Sequence, residues 1–371
     1  MKYVILGLSI TSSWGNGHAT TFRGLVKALV ARGHDVLFLE RDVPWYASHR
    51  DMPNPAYGRT ALYEDREALQ QRHAHEVRDA DVVIVGSYVP EGVEVARWVF
   101  RTARGVTAFY DIDTPVTIAD LCAGKSGYLD RSIIPRFDLY LSFTGGPMLT
   151  RLEREFGARM ARPLYCSVDP DLYGPVEAEQ RWLLGYLGTY SDDRQPTVDE
   201  LLFEPAKALA EGAFVVGGAQ YPEGLSWPQN VTHIQHVPPA EHPSFYARQR
   251  FTLNVTRREM IRAGHAPSVR LFEAAACGTP IISDAWQGID EVLTPGREVL
   301  IAHSRNDVQT YLHDLSDRER NDLTARAQKR VLEQHTAAHR AIELDGYVRE
   351  VAQTSASAAA RTETLSEGAS T

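Results

Sequence analysis

Pro267-Ser268-Val269-Arg270-Leu271-Phe272-Glu273-Ala274-Ala275-Ala276-Cys277-Gly278-Thr279-Pro280-Ile281-Ile282-Ser283 is the stretch that decides the fold. Ser268 is a good N-cap and Gly278 a good helix stop, which predicts a short helix over 268–277 followed by a strand over 279–283. The helix is apolar nearly all round, through Leu271, Phe272, Ala274, Ala275, Ala276 and Cys277, and such a helix is usually buried. Glu273 sits in its middle. A buried carboxylate needs a partner, because an unpaired buried charge is costly. Either a backbone amide or a nearby Arg satisfies Glu273, or it accepts hydrogen bonds from the hydroxyls of a ligand.

Working outward, strands and helices alternate on both sides of this unit. Strand-like runs lie at 182–189, 214–216, 231–236, 251–255 and 298–302, with helices near 197–211 and 241–249 between them. The first half repeats the pattern, with runs at 3–8, 35–39, 81–85, 106–110 and 138–143. A helix with Phe22, Leu25, Val26, Leu29 and Val30 on one face ends at Gly33. Such alternation argues α/β architecture with parallel, doubly wound sheets. A Pro/Gly/Asp-rich connector at 163–175 separates the halves. The expected units are therefore residues 1–166 and 176–335, then a helix over 336–352 and a disordered tail over 353–371 that lacks an apolar face.

Composition narrows the class. A chain of 371 residues, 43% hydrophobic and 23% charged, is long enough for two globular domains. A formal charge of −9 argues against nucleic acid or an anionic membrane as the main partner. Three scattered cysteines, Cys122, Cys166 and Cys277, form no metal spacing or disulfide framework and fit a reducing compartment. The apolar start precedes Trp14-Gly15-Asn16-Gly17-His18 without a basic flank, so it is a first strand rather than a signal peptide. No run approaches the ~20 apolar residues of a membrane span. A cytoplasmic protein is expected; its oligomeric state is open.

Ligands of open α/β sheets bind beyond the carboxyl ends of the strands. The first such turn holds Gly15, Asn16, Gly17 and His18; it is a cleft-lining loop, or an ordinary tight turn, and it is not a full dinucleotide fingerprint. Asp111-Ile112-Asp113 ends another strand. Two carboxylates alone under-fill a hard-cation site, so no metal is expected there. Either Asp113 caps a local backbone group in a strand-end turn, or one of the two acids orients or deprotonates a substrate hydroxyl; His18 is a further candidate base, a ligand contact or simply the first residue of its helix. In the second half, Arg194 follows Leu187-Gly188-Thr189-Tyr190, and Arg257-Arg258 ends a strand; one of these two guanidinium groups suits phosphate. His236-Val237 ends another strand. His73 and His75, two apart on a helix, face different ways and make no zinc site. There is no nucleophile elbow, Walker loop or His-Glu-x-x-His motif.

The stretch Leu271-Phe272-Glu273-Ala274-Ala275-Ala276-Cys277-Gly278-Thr279-Pro280-Ile281-Ile282-Ser283 resembles the signature of the C-terminal domain of retaining GT-B glycosyltransferases, and is similar in particular to the spore-maturation (CgeB-like) group. The resemblance implies a GT-B fold, two Rossmann-like α/β/α domains facing each other across a cleft. It implies that Glu273 binds the ribose of a nucleotide-sugar, a UDP-sugar as the first guess, and that Ser268 and Val269 at the helix start face its diphosphate together with Arg270. Thr189, Tyr190, Arg194 and Arg257 join that donor site by the same resemblance, and His236 and Val237 lie in the segment that reads the base. The wider family has an acid eight positions before Glu273, beside the sugar; here it is His265. The connector also resembles the GT-B interdomain segment, with Ser167 in place of a Gly. The implied function is transfer of a sugar from a nucleoside-diphosphate sugar to an unidentified acceptor, retaining and without metal or other cofactor. The alternatives are a nucleotide-sugar epimerase and a catalytically silent binding or structural protein.

Overall fold

The computed structural model describes residues 1–125 and 127–368, with side chains described up to residue 354 apart from residue 126. Seven strands form the first sheet: β1 (Lys2–Gly7), β2 (Asp35–Arg41), β3 (Arg59–Tyr63), β4 (Val82–Gly86), β5 (Val106–Asp111), β6 (Leu139–Ser142) and β7 (Ala161–Pro163). Their spatial order is β3-β2-β1-β4-β5-β6-β7, all parallel. The second sheet has six: β8 (Trp182–Leu187), β9 (Phe214–Gly217), β10 (Val231–Ile234), β11 (Gln249–Asn254), β12 (Ile281–Ser283) and β13 (Leu300–Ile301). It runs β10-β9-β8-β11-β12-β13, again parallel. The central strands are apolar along their whole length, as Val82-Val83-Ile84-Val85 shows, because helices cover both faces.

In each sheet the chain order reverses beside the first strand, between β1 and β4 and between β8 and β11. A parallel sheet leaves a crevice at such a switch point, beyond the strands' carboxyl ends. Sequence reading did not single out β3, which is half-buried rather than apolar throughout. It adds an edge to the first sheet.

The chain crosses between the domains twice, side by side. Leaving β7, it runs through Leu164, Cys166, Val168 and Tyr173, all buried. Returning, it passes His335 and Thr336. Val168 N–H donates to His335 O at 3.1 Å, and Ala337 N–H donates to Val168 O at 2.8 Å. The returning chain becomes the helix Ala337–Gly368, which lies on the first domain. Its Ala341, Leu344, Val348 and Val351 are buried. Gly24 permits its approach: a Cβ there would stand 3.1 Å from that of Ala337.

The helix runs on to Gly368 and so takes in residues 353–368 of the expected tail, whose residues 369–371 lie outside the described residues. The reason is local. No Gly or Pro interrupts 347–367, and its alanines propagate a helix whose first turns are already docked.

Asp345, 1% exposed, anchors the docking. It accepts from Tyr3 Oη at 2.8 Å and Arg32 Nη2 at 2.7 Å, and it lies 3.0 Å from His34 Nε2. Burial raises its carboxyl pKa, but Arg32, His34 and Tyr3 outweigh burial and hold it below the usual range. Asp345→Ala strands these donors. It should lower stability by about 3 kcal/mol, measured by denaturant unfolding at neutral pH.

Candidate functional site

Residues from the carboxyl ends of both sheets line one cleft of about 450 Å³ between the domains. Its first-domain wall begins with the turn after β1, which two carboxylates shape. Glu40, fully buried at the end of β2, accepts from Ile10 N at 2.7 Å, Thr11 N at 3.0 Å, Thr11 Oγ1 at 2.6 Å and Ser9 Oγ at 3.0 Å. Asp51 accepts from Ser13 N at 2.8 Å and Ser13 Oγ at 2.9 Å, and takes a bidentate pair from Arg23 at 2.9 Å. Gly15 turns the chain at φ +59°, and Asn16 Oδ1 accepts from His18 N at 2.9 Å where the helix His18–Ala31 begins. Gly15, Asn16, Gly17 and His18 thus reach the cleft together.

The two acids after β5 separate. Asp113 lines the cleft: His18 Nε2 is 3.6 Å from its Oδ2, Arg257 Nη1 3.9 Å, and Tyr88 Oη donates to it at 3.0 Å. Burial raises the Asp113 pKa, but His18, Arg257 and Tyr88 outweigh it and keep the carboxyl below its ordinary value. Asp111 is fully buried and does not reach the cleft. It accepts from Tyr140 Oη at 2.6 Å and Thr117 Oγ1 at 2.8 Å. Burial pushes its carboxyl up to about 6, against those hydrogen bonds. As the last residue of β5 it points into the helical layer, so it supports Asp113 rather than meeting a substrate. The pair does not converge as a cation clamp.

On the opposite wall the helix Val269–Ala276 begins at Ser268, whose Oγ accepts from Arg270 N at 3.4 Å. Pro267, Ser268 and Val269 face the cleft. Glu273 lies deeper, 3% exposed, with Tyr246 Oη at 3.3 Å and His242 Nδ1 at 3.5 Å. Arg270 also borders the cleft, but its guanidinium is largely spent: Nε donates to Leu187 O and Nη1 to Asn254 Oδ1 at 2.8 Å. It braces the turn after β8. That turn needs glycine: a Cβ on Gly188 would come 2.9 Å from Arg270 Nη2, and one on Gly218 2.0 Å from Gly188 O. Thr189 and Arg194 line the cleft there, whereas Tyr190 lies outside it and bonds Asp192 at 2.8 Å. His236 and Val237 close the mouth; His236 meets Trp14 of the first domain at 4.5 Å between ring centres.

His265 is not beside the cleft. It holds a left-handed corner at φ +48°, its carbonyl accepts from Gly145 N at 2.9 Å, and its Nδ1 lies 3.0 Å from Glu291. A Cβ on Gly146 would strike its ring at 2.4 Å. It is a wedge in the interdomain seam, outside the cleft lining.

Sequence reading missed Tyr88, His242 and Tyr246. Tyr88 follows β4, so the strand-end rule points to it, and its φ of +63° costs a non-glycine about 1–3 kcal/mol at the cleft wall. His242 and Tyr246 lie on the helix His242–Ala247 shortly after His236 and Val237, and nothing in their spacing marks them. Three polar atoms at the cleft are buried without a hydrogen-bond partner among the described residues: His18 Nδ1, Arg194 Nε and Arg257 Nε, the last 3.9 Å from Asp193. No group of three or more metal-binding side chains gathers among the described residues, and no described helix is long and apolar enough to cross a membrane.

Residues 194–346 match the family described as glycosyl transferase-like. No curated protein matches the sequence. Among solved structures the chain is similar to sucrose-phosphate synthase from Thermosynechococcus elongatus, at 15% identity and TM-score 0.71, covering 95% of this chain and 100% of that one. Anabaena HepE, solved with UDP-glucose, is similar at 14% identity and TM-score 0.67, covering 96% and 100%. An alpha-glucosyltransferase solved with UDP and a DNA 13-mer is similar at 14% and TM-score 0.70, covering 94% and 99%. The fold is thus GT-B, and the family match supports a glycosyltransferase.

The Asp51–Arg23 pair tests how the cleft loop is held. Burial raises the Asp51 pKa, but Arg23 and Ser13 more than offset it and bring the carboxyl down to about 2. A lowered acid contributes stability above its unfolded value of about 4, lost as pH falls toward 2. The stability gap between the parent and Asp51→Asn should therefore shrink by at most about 1 kcal/mol between neutral pH and about pH 3, because solvent screens this pair, measured by urea unfolding.

Proposed function

We propose that the chain transfers a sugar from a UDP-sugar to a hydroxyl acceptor across this cleft. The observation that carries the reading is the opposition of two unlike walls. One offers Glu273, a helix N-terminus and guanidinium groups; the other offers His18 and Asp113.

The donor fits the second domain. Glu273 accepts from the ribose hydroxyls, in exchange for its contacts with Tyr246 and His242. The free amides at Ser268 and Val269 and the positive end of the helix dipole meet the diphosphate. Arg194 and Arg257, each with an Nε that makes no hydrogen bond, supply positive charge as the leaving UDP gains negative charge. With that charge in place the reaction proceeds without a divalent metal. Solved GT-B structures that carry UDP support uridine as the base.

The acceptor meets the first domain. With Nε2 turned to Asp113, His18 Nδ1 holds the lone pair. The acceptor O–H gives its proton to Nδ1, its oxygen forms the bond to the sugar's anomeric carbon, and the C–O bond to phosphate breaks with its electron pair leaving on UDP. Asp113 steadies the resulting imidazolium. The resemblance implies retention at the anomeric carbon. The His18–Asp113 pair favours a second reading, direct displacement with inversion, because a positioned base serves an acceptor that attacks from the face opposite UDP. The anomeric configuration of the first-formed product, read by NMR, decides between them.

Glu273→Ala should weaken UDP binding roughly ten- to a hundred-fold by calorimetry while the apo-protein stays folded. His18→Ala should lower transfer about 10²- to 10⁴-fold and leave UDP affinity unchanged. Equal loss of UDP affinity in both would reverse the assignment of sides.

Transfer should persist after exhaustive chelation. Loss restored only by magnesium or manganese would overturn metal independence.

A further inference from the structure

The donor wall is rich in charge and the acceptor wall is not. Of the first-domain residues that line the cleft, only His18 and Asp113 carry or can gain charge near neutral pH. The cations around that wall are already paired: Arg23 with Asp51, Arg50 with Asp42, and Arg41 with Glu91. Arg257 reaches Asp113 from the other domain and is shared with Asp193 at 3.9 Å. An anionic acceptor would meet the Asp113 carboxylate with no free cation of its own.

Polar contacts on this wall are also largely committed. Ser13 donates to Asp51, Asn16 is held by Ser12 and His18, Thr20 donates to Gly17 O, and Tyr88 donates to Asp113. Among the described residues the hydroxyls of Thr21 and Tyr46 are left without a hydrogen-bond partner. Two neutral hydroxyls are a thin supply for a polyol, which must exchange many water contacts for protein ones.

Apolar and aromatic surface is what the wall has in excess. Leu8, Ile112 and Phe143 line its floor. At the rim, Trp14 stacks on His49 at 4.4 Å and 17°, and His49 lies 6.2 Å from Trp45. Trp45 is 55% exposed, on the short helix Pro44–Ala47, which buries none of its residues; it stands outside the cleft lining, next in the chain to Tyr46, which lines the cleft. A tryptophan held open beside a cleft offers a ring face at small entropic cost.

We propose that the acceptor is an uncharged hydroxyl compound with an aromatic body, stacked on the Trp45–Tyr46 rim with its hydroxyl turned to His18. The assignment rests on the donor and acceptor sides proposed above. The step is the one already written: the acceptor proton passes to His18, a C–O bond forms to the sugar, and UDP leaves with the electron pair of the broken bond.

The test offers the full chain UDP-glucose with 2-naphthol, with its anionic congener 6-hydroxy-2-naphthoate, and with maltose as a neutral polyol. UDP release above donor hydrolysis and product mass are measured. 2-Naphthol should exceed both others in kcat/KM by about tenfold or more. Trp45→Ala should raise the naphthol KM about five- to tenfold, with the donor KM unmoved. Preference for the naphthoate overturns the charge argument, and preference for maltose overturns the aromatic one. Absence of transfer to 2-naphthol while UDP-glucose binds and is hydrolysed overturns the acceptor class alone. Absence of UDP binding overturns the donor side, and the acceptor assignment falls with it. A Trp45→Ala protein that keeps the parental naphthol KM removes the rim from the site.

Discussion

Two strands of chain crossing side by side between the domains make everything else possible. The pairing of Val168 with His335 and Ala337 ties the outgoing connector to the returning one. Each sheet opens its carboxyl ends toward the other only because that double tether faces them across a gap. Lys27 reinforces it from the first domain, donating to Asp169 and Asp171, each at 2.7 Å. Without these contacts the two walls would be separate half-sites, each incapable of holding donor and acceptor together.

A second theme is the buried carboxylate. Glu40, Asp111, Asp284 and Glu273 are all nearly inaccessible, yet they do different work because their donors differ. Glu40 is saturated by backbone amides and hydroxyls, so it is scaffolding. Asp284 holds Thr256 N and Oγ1, both at 2.8 Å, and shapes the turn beside Arg257. Glu273 has longer contacts, with Tyr246 at 3.3 Å and His242 at 3.5 Å, and Tyr173 lies beside it; it opens on the cleft. Loosely satisfied acceptors are the ones a ligand can recruit without a large desolvation cost.

Much of this was legible in the sequence. The alternation of apolar runs with amphipathic segments gave the two-sheet architecture, since parallel strands covered on both faces must be apolar throughout. Ser268 and Gly278 bounded the key helix correctly because capping is local chemistry. What failed was non-local. Asp111 and Asp113 look equivalent in the sequence, but alternate residues here part between the packed interior and the cleft. Arg270 looks like a phosphate ligand until the carbonyl of Leu187 and the amide of Asn254 claim it. His265 occupies the expected position of an acid, yet a left-handed corner carries it into the seam.

The last helix also has a consequence for how the protein is made. Asp345 completes the first domain by binding Tyr3, Arg32 and His34, so residues near the two ends of the chain meet in one packing unit. During synthesis the first domain leaves the ribosome long before its covering helix exists. At roughly 5–20 residues per second, the wait between the connector and the helix is on the order of 10–40 s. Throughout it the uncovered face of the helix His18–Ala31 is open to wrong partners. Vectorial, domain-by-domain maturation is therefore closed to this topology: the first domain to emerge is the last to be finished.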